Sequence, residues 1–295
     1  MFLKARGLSS QAEGLIAINA AAVIFGLAAL YGKLDVSPFW IVAMRSGFAA
    51  ITLALLARFK NKPSISSASW GIIAMSGLLL ATHWLTFFAS VQLAGVAVAT
   101  LTFATFPLFT VLVEAVLRRR LPRLAEVGVG FLIIIAVALL TGPGNGQGNI
   151  KGAVIGLSSA VTYALFWQVS QGLNRSLAPV TISFYQNAAA FLWFAPTLLF
   201  ATPAPASGFD WLCLAALGVI NTALMFQLYL YALKRISATT CSGFIALEPV
   251  YAIIFAGLLF QEPITPWIIV SIFLIVGASL ALLKIEQEPM PPGVE

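Results

Sequence analysis

The sequence is a succession of apolar runs, each long enough to cross a bilayer, separated by short polar stretches. A hydrocarbon core about 30 Å thick needs about 20 apolar residues per helix. Ten segments meet this requirement: 12–32, 38–58, 69–90, 95–117, 124–142, 150–171, 179–201, 211–232, 237–260 and 264–284. Only 9% of the residues are charged, whereas soluble domains carry about 25%. The sequence therefore predicts an all-α polytopic membrane protein with ten transmembrane helices.

The basic residues are distributed unevenly between the predicted loops. If the N-terminus is cytoplasmic, Lys33 and Lys151 lie on the opposite side and Arg45 lies within a segment, whereas every other Lys and Arg is cytoplasmic. We therefore expect a multi-pass protein of a bacterial-type inner membrane with both termini cytoplasmic. The net charge of +6 reflects this bias. The basic loop "RRRLPR" (118–123) is too short and too close to a helix end to indicate nucleic-acid binding.

The chain reads as two copies of a five-helix unit. The Gly-rich stretch 143–149 separates a first repeat, 1–142, from a second repeat, 150–284, and 285–295 remains as a cytoplasmic tail. Because five is an odd number, the second copy must enter the membrane with the opposite orientation. The predicted architecture is two inverted five-helix repeats.

Landmarks of the two repeats match, whereas the charges of matching loops differ. A shift of 142 residues places Pro107 on Pro249. The loop "SVQLAG" (90–95) carries no charge, but its counterpart "ALKRIS" (232–237) is basic. Opposite orientation explains the difference, because equivalent loops then lie on opposite sides of the membrane. Many secondary transporters are built from inverted repeats that rock about a central site.

The patterns "ATFPLFTVLVEAVLRRRLP" (104–122) and "LEPVYAIIFAGLLFQEP" (247–263) resemble the drug/metabolite transporter superfamily, specifically its EamA-type exporters. The resemblance covers the whole chain, extends to the branch of aromatic amino acid exporters, and implies export of amino acids and related metabolites. One position departs from the family pattern. Glu262 precedes the last proline of the second repeat, but Leu121 stands there in the first, so we expect Glu262 to cap a loop.

Pro107 and Pro249 interrupt apolar segments at matching places. Proline has no N–H, so each frees the carbonyl four residues earlier, that of Phe103 or of Ile245. Broken backbone at membrane depth is tolerated where it lines a cavity or is buried in protein. Paired breaks in two repeats point to a binding site near the midplane. We therefore predict that both prolines act as helix breaks or hinges beside a central cavity.

Glu248 directly precedes Pro249, and its repeat mate is Phe106. An ionised group at the centre of a membrane helix costs about 2.5 to 3.5 kcal/mol, so Glu248 is expected to face the bundle interior or to be protonated. Three roles remain open for it. It can hold a substrate ammonium group, couple transport to protons, or make a hydrogen bond between helices that fixes the kink.

Aromatic residues with helical spacing form a second group of candidates. His83 and Phe87 lie four residues apart in the third segment, and Tyr163 and Trp167 have the same spacing in the sixth. With Phe103 they predict an aromatic-walled pocket for the substrate. Packing between helices is the alternative for each, and for His83 this is an interhelical hydrogen bond.

Polar residues within other segments complete the predicted substrate site. Tyr185 and Gln186 supply hydrogen-bonding groups in the seventh segment. Arg45 is the cation deepest within a segment; it can bind a carboxylate, but a structural role is favoured. Glu114, four residues before Arg118, is explained by a local ion pair.

The sequence carries no nucleophile elbow, metal motif or nucleotide loop. We therefore expect no catalytic residues, metal or cofactor, and partners limited to the lipid bilayer and a small-molecule substrate; a monomer is plausible. The scarcity of intramembrane cations argues against anionic substrates. Neutral or zwitterionic metabolites, amino acids above all, fit better. Efflux of cationic lipophilic drugs is the alternative within transport, and a lipid-modifying enzyme is the alternative outside it.

Overall fold

The computed structural model describes residues 9–57, 67–141, 150–173 and 177–287, and within these ranges the chain is helical throughout, with short connections. The α-helices are α1 (Ser10–Ala28), α2 (Pro38–Ala57), α3 (Ser67–Phe103), α4 (Phe106–Leu117), α5 (Leu124–Thr141), α6 (Ile150–Ser170), α7 (Pro179–Phe194), α8 (Gly208–Gly218), α9 (Met225–Leu233), α10 (Ala238–Ile245), α11 (Glu248–Phe260) and α12 (Pro266–Gln287). Short 3₁₀ turns follow α1, α6 and α7, and a π-helix, Val219–Leu224, joins α8 to α9. The predicted linker 143–149 and tail residues 288–295 lie outside the described residues.

These helices account for the ten predicted segments with two differences at their boundaries. The third segment and the first part of the fourth form one element, α3, whose 37 residues would reach about 55 Å if straight, well beyond the bilayer core. Gly95 breaks it, with φ 84° and ψ 171°, a conformation that glycine alone adopts readily. Segments four and nine are each divided at their proline into α3 and α4, and into α10 and α11. The predicted all-α, two-repeat membrane fold is confirmed.

The repeat is visible in the backbone itself. Thr105 (φ −79°, ψ −3°) precedes α4, and Leu247 (φ −83°, ψ −4°) precedes α11. Arg119 and Gln261 follow the same two helices with φ 53° and 54°, the only non-glycine residues with positive φ in the described ranges. Both pairs are separated by 142 residues (247 − 105 and 261 − 119). The shift that aligns the prolines therefore also aligns the backbone at both ends of the helix that follows them.

The two repeats interdigitate, because helices of one pack mainly on helices of the other. α3 packs on α6 and α7, α1 packs on α9 and α11, and α5 packs on α12. Gly77 allows the close approach of α3 to α7, and Gly218 allows that of α8 to α2. A Cβ at Gly77 would lie 2.5 Å from the Cβ of Ala189 on α7, and one at Gly218 would lie 2.6 Å from that of Phe48 on α2. The interior of the bundle is therefore lined by helices of both repeats.

The outer surface of the bundle is strongly apolar. On α5, Phe131, Ile134 and Ile135 are all more than half exposed. Among the described residues, seven helical stretches are long and apolar enough to cross a membrane, and α4 and Pro266–Ala281 are shorter apolar helices. Side chains of this kind are stable on the outside only in contact with lipid or another apolar surface. The chain is a multi-pass membrane protein.

Candidate functional site

The structure places a break in the helix at each of the two matched prolines. α3 ends at Phe103 and α4 begins at Phe106, with Pro107 in its first turn; α11 begins at Glu248, with Pro249 in its first turn. Proline suits a first turn, because the N–H that it lacks would have no partner inside the helix. At the first break, the hydroxyl of Ser279 on α12 donates to the carbonyl of Ala104 over 3.1 Å.

Five rings meet beside the first break, and we call them the aromatic cluster: His83, Phe87, Phe103, Phe106 and Tyr163. The ring of Tyr163 on α6 lies 4.8 Å from that of His83, 5.4 Å from that of Phe103 and 5.2 Å from that of Phe106, between centroids. Phe103 and Phe106 stack across the break at 5.4 Å. Such ring pairs gain stability beyond simple area burial. The cluster joins α3, α4 and α6, and therefore both repeats.

His83 is buried and tied to α6. Its Nδ1 lies 3.1 Å from the carbonyl oxygen of Ser159 and 2.8 Å from the hydroxyl of that residue, which itself donates to the His83 carbonyl. A carbonyl oxygen can only accept, so the first contact requires the proton on Nδ1. The other ring nitrogen, Nε2, is then an acceptor, and it makes no hydrogen bond within the described residues. His83 thus has the interhelical hydrogen bond that was the alternative to a substrate role, and its ring also faces the cluster.

Arg45 on α2 is buried near the centre of the bundle, with 3% of its surface exposed. Its Nε donates to the hydroxyl of Thr222 over 2.9 Å. Its guanidinium carbon lies 4.2 Å from the centre of the Trp84 ring, a cation–π contact. Thr222 belongs to the π-helix and also donates to the carbonyl of Leu217. The side chain of Arg45 is therefore held in place by a helix of the second repeat and by a ring of α3.

Glu248 is equally buried, with 5% exposed, and within the described ranges its carboxylate has neither a hydrogen bond nor an ion pair. It interacts electrostatically with Arg45 and Tyr163, so these three groups share one region of the interior. The backbone around it is tightly packed. A Cβ at Gly26 of α1 would lie 2.9 Å from the Glu248 carbonyl oxygen. Buried carboxylates are normally paired, so this one is a candidate for pairing with a substrate.

Further polar groups lie on the π-helix and α9. The side-chain amide of Asn221 donates to the carbonyl of Ile24 on α1. The amide nitrogen of Gln227 is buried and has no hydrogen-bond partner among the described residues. Tyr229 interacts electrostatically with Tyr163. The interior between the repeats is thus polar on the side of the second repeat and aromatic on the side of the first break.

Trp167 does not lie in the aromatic cluster. Its side chain is 48% exposed, whereas Tyr163, one turn earlier, packs against the other rings of the cluster. Helical spacing places the two side chains on one face but does not decide whether neighbouring helices cover both of them. Trp167 is therefore separate from the aromatic cluster, and its role at the substrate site stays a prediction.

Tyr185 and Gln186 lie in a different group, at the middle of α7. The ring of Tyr185 packs against those of Trp70 and Phe184, at 5.4 and 4.9 Å. The amide of Gln186 donates to the hydroxyl of Ser170 at the end of α6 over 2.8 Å. Ser170 is seven residues, about two helical turns, beyond Tyr163. The structure therefore divides the predicted site into a central group and this α6–α7 group.

Two residues of the central region had not been selected from the sequence. Trp84 lies well inside its apolar segment, but its position against Arg45 depends on how α2 and α3 pack. Thr222 lies in an apolar segment beside Asn221, and two adjacent polar residues at membrane depth were the available signal. The π-helix that turns Thr222 toward Arg45 gives no pattern in a single sequence.

Glu262 has the capping position expected for it. Its two carboxylate oxygens accept the N–H of Val96 over 3.2 and 3.1 Å, directly after the Gly95 break, and also form an ion pair with Lys33. Glu114 and Arg118 form the predicted local pair at 2.9 Å. A recess of about 350 Å³ opens near Lys33, lined by Asp35, Gln92 and neighbouring residues.

Comparison with known proteins identifies relatives along the whole chain. The sequence is 24% identical over 310 aligned positions to the uncharacterized transporter YetK of Bacillus subtilis (strain 168), a match that covers 98% of this chain and 92% of the relative. It is 23% identical over 183 positions to the uncharacterized transporter YxxF of the same organism, where 60% of this chain spans 58% of the relative.

A solved crystal structure shares the fold, with a TM-score of 0.61 at 20% identity; the match covers 95% of this chain and 99% of the other. The sequence profile of the EamA-like transporter family matches twice, at residues 12–142 and 150–284. The two matches correspond to the two halves that share the helix break, and together they span nearly the whole sequence. The chain belongs to the EamA-like transporter family.

Proposed function

We propose that this protein is a secondary transporter that exports small neutral or zwitterionic organic metabolites, foremost amino acids including aromatic ones, by alternating access between its two repeats. The observation that carries the proposal is the pair of matched helix breaks, one filled by the aromatic cluster and the other by a buried carboxylate that has no partner among the described residues. The rings offer an apolar surface for a side chain. The polar groups of Arg45, Glu248 and the π-helix offer partners for a charged or hydrogen-bonding headgroup.

The direction of transport depends on the orientation of the chain. We place both termini in the cytoplasm of a cell with an inner (plasma) membrane, because the basic loops then lie inside. Single cysteines at positions 92 and 234, in a background without Cys213 and Cys241, test this. Both native residues are exposed and are separated by 142 positions. An impermeant maleimide should label position 92 from outside the cell and position 234 only after permeabilisation; labelling of both from one side would contradict the inverted arrangement.

Efflux of lipophilic cations is the second candidate, and the observation in its favour is that Glu248, which has no partner among the described residues, interacts electrostatically with Tyr163 of the aromatic cluster. The same region contains Arg45, whose charge would repel a ligand that carries only positive charge. The electrostatics therefore favour ligands with no net charge.

Purified protein in liposomes distinguishes these functions. The liposomes are loaded with radiolabelled phenylalanine, threonine or the lipophilic cation tetraphenylphosphonium, with and without a proton gradient. We expect protein-dependent movement of the amino acids, fastest for phenylalanine. Movement of the cation alone would establish the drug-efflux alternative. If none of the three moves and a membrane lipid is chemically altered instead, the protein is an enzyme and the transport proposal fails.

A further inference from the structure

We propose that Arg45 and Glu248 bind the two opposite charges of one zwitterionic substrate, Arg45 its carboxylate and Glu248 its ammonium group. This proposal rests on the transport function proposed above and specifies its substrate class. The two residues lie on α2 of the first repeat and at the start of α11 of the second. A ligand that bridges them would therefore contact both halves of the protein at once.

The guanidinium of Arg45 is oriented but not saturated. Its Nε is used by Thr222, and one face is covered by Trp84. The two terminal nitrogens make no hydrogen bond within the described residues. They carry four N–H groups in a planar fork that matches a carboxylate. The contacts that Arg45 already has would thus hold the fork in place and leave its outer edge for a ligand.

The carboxylate of Glu248 is complementary. When ionised it can only accept hydrogen bonds, and an ammonium group supplies three donors. Within the described part of the chain, nothing donates to it. An unpaired charge inside a protein is costly, so a ligand that pairs with it gains the interaction without displacing an existing partner.

The two charges do not satisfy each other. Each interacts electrostatically with the other, yet no N–O distance between them falls within the 4.0 Å of an ion pair. Arg45 is anchored to Thr222, whose hydroxyl is in turn bonded to Leu217. Glu248 is fixed by the start of α11 and by the close packing of Gly26. The backbone therefore holds the opposite charges near each other but out of contact, as a ligand with separated charges requires.

This arrangement of two opposite charges favours ligands that carry no net charge. A ligand with only an ammonium group is attracted by Glu248 and repelled by Arg45, and a ligand with only a carboxylate meets the reverse. A zwitterion is favoured by both. Tyr163 interacts electrostatically with both charged residues and also belongs to the aromatic cluster, so a substrate side chain next to the zwitterion would lie near the rings.

The test pairs deletions of ligand charge with deletions of protein charge. The ligands are L-phenylalanine, phenethylamine, which lacks the carboxylate, and 3-phenylpropionate, which lacks the ammonium group. For the unmodified protein in liposomes, we expect each analogue to compete with labelled phenylalanine about tenfold or more weakly than phenylalanine itself, because each loses one charge-assisted interaction. Equal competition by all three would overturn the proposal without any variant.

The variants Arg45→Gln and Glu248→Gln assign each charge to its residue. Arg45→Gln should weaken the binding of phenylalanine about tenfold or more. It should leave the binding of phenethylamine unchanged or make it tighter, because phenethylamine has no carboxylate that could contact Arg45. Glu248→Gln should likewise weaken the binding of phenylalanine but not that of 3-phenylpropionate, which has no ammonium group. Uniform loss for all three ligands would show that the residues maintain structure and do not recognise charge.

Arg118→Gln and Glu114→Gln are matched controls, because they remove the same residue types from a local pair at the end of α4. Both should keep the ligand order of the unmodified protein. If either single variant of the central pair fails to fold, the double variant Arg45→Gln/Glu248→Gln replaces it, since it leaves no unpaired charge behind. It should lose the preference for the zwitterion. Transport of tetraphenylphosphonium without transport of phenylalanine would refute the proposed function, whereas transport of phenylalanine without discrimination among the three ligands refutes only the charge assignment.

Discussion

The two helix breaks have the same backbone and opposite chemistry. At the first break, Phe106 stacks on Phe103 and packs against Tyr163, and Ser279 satisfies a backbone carbonyl. At the second break, the same position holds Glu248, whose carboxylate has no hydrogen bond within the described residues. A repeated backbone thus provides two equivalent interruptions, while the side chains make one a packed aromatic joint and the other a charged site.

The helices that lead into the two breaks also differ, in how the first turn of each helix is capped. Gly95 and Ser237 are separated by 142 residues and precede matching helices. The hydroxyl of Ser237 accepts the N–H of Thr240 in its own helix, a local cap. Gly95 has no side chain, and the N–H of Val96 is instead bonded by Glu262 of the second repeat, which also pairs with Lys33. One helix start is therefore independent, and the other ties the two repeats together.

Moving the carboxylate from the second break to the first should have the largest effect. Glu248→Gln alone should lower phenylalanine transport about tenfold or more with little change in stability. Adding Phe106→Glu should not restore transport, and it should lower the free energy of unfolding by about 3 kcal/mol, because the new charge lies among packed aromatic rings. Transport assays and thermal unfolding in detergent measure both effects, with Phe106→Leu as the uncharged control. Recovery of transport would mean that the two breaks are interchangeable.

Removing the cap that links the repeats should have the next largest effect. Glu262→Ala leaves the Val96 N–H and Lys33 without their partner, and we expect a loss of about 2 kcal/mol in stability. Glu262→Gln keeps an acceptor for the N–H and should lose less. Thermal unfolding compares the two variants. A Glu262→Ala protein as stable as the unmodified one would show that the Gly95 helix start needs no cap from the second repeat.

Removing the local cap should cost less. Ser237→Ala should destabilise the protein by about 1 kcal/mol, the usual effect of losing an N-cap hydroxyl, and Ser237→Asp should restore most of it. Combining Ser237→Ala with Glu262→Ala in the same unfolding assay should give additive losses, because the two caps share no residue. A strongly non-additive result would indicate that the two helix starts are coupled, contrary to the comparison.

Trp167→Ala should have the smallest effect. The side chain is half exposed, so we expect a change within about 0.5 kcal/mol in stability and less than about twofold in transport, with no change in preference between phenylalanine and threonine. Its repeat mate Phe25 (167 − 142) packs against the main buried cluster, and Phe25→Ala should be the more damaging change. A selective loss of phenylalanine transport in Trp167→Ala would show that Trp167 contributes to the substrate site.

Sequence reasoning identified the class of fold because its signals are local and strong. Long apolar runs must become helices in lipid, where every backbone group needs a partner within its own segment. The prolines and their spacing fixed where the helices break, since proline lacks an N–H wherever it stands. The resemblance to the EamA family, now confirmed as membership of the EamA-like transporter family, rested on the same two prolines and their neighbours.

The tertiary structure decided which side chains meet, because helical spacing defines a face but not the neighbour that covers it. Tyr163 and Trp167 lie one turn apart on α6, yet Tyr163 packs in the aromatic cluster and Trp167 is about half exposed. The position of Arg45 against Thr222 arises from contacts between residues 177 positions apart, which no local pattern encodes. Sequence alone determined that a carboxylate lies buried at a helix break; only the packing of the two repeats placed a cation near it without letting the two charges touch.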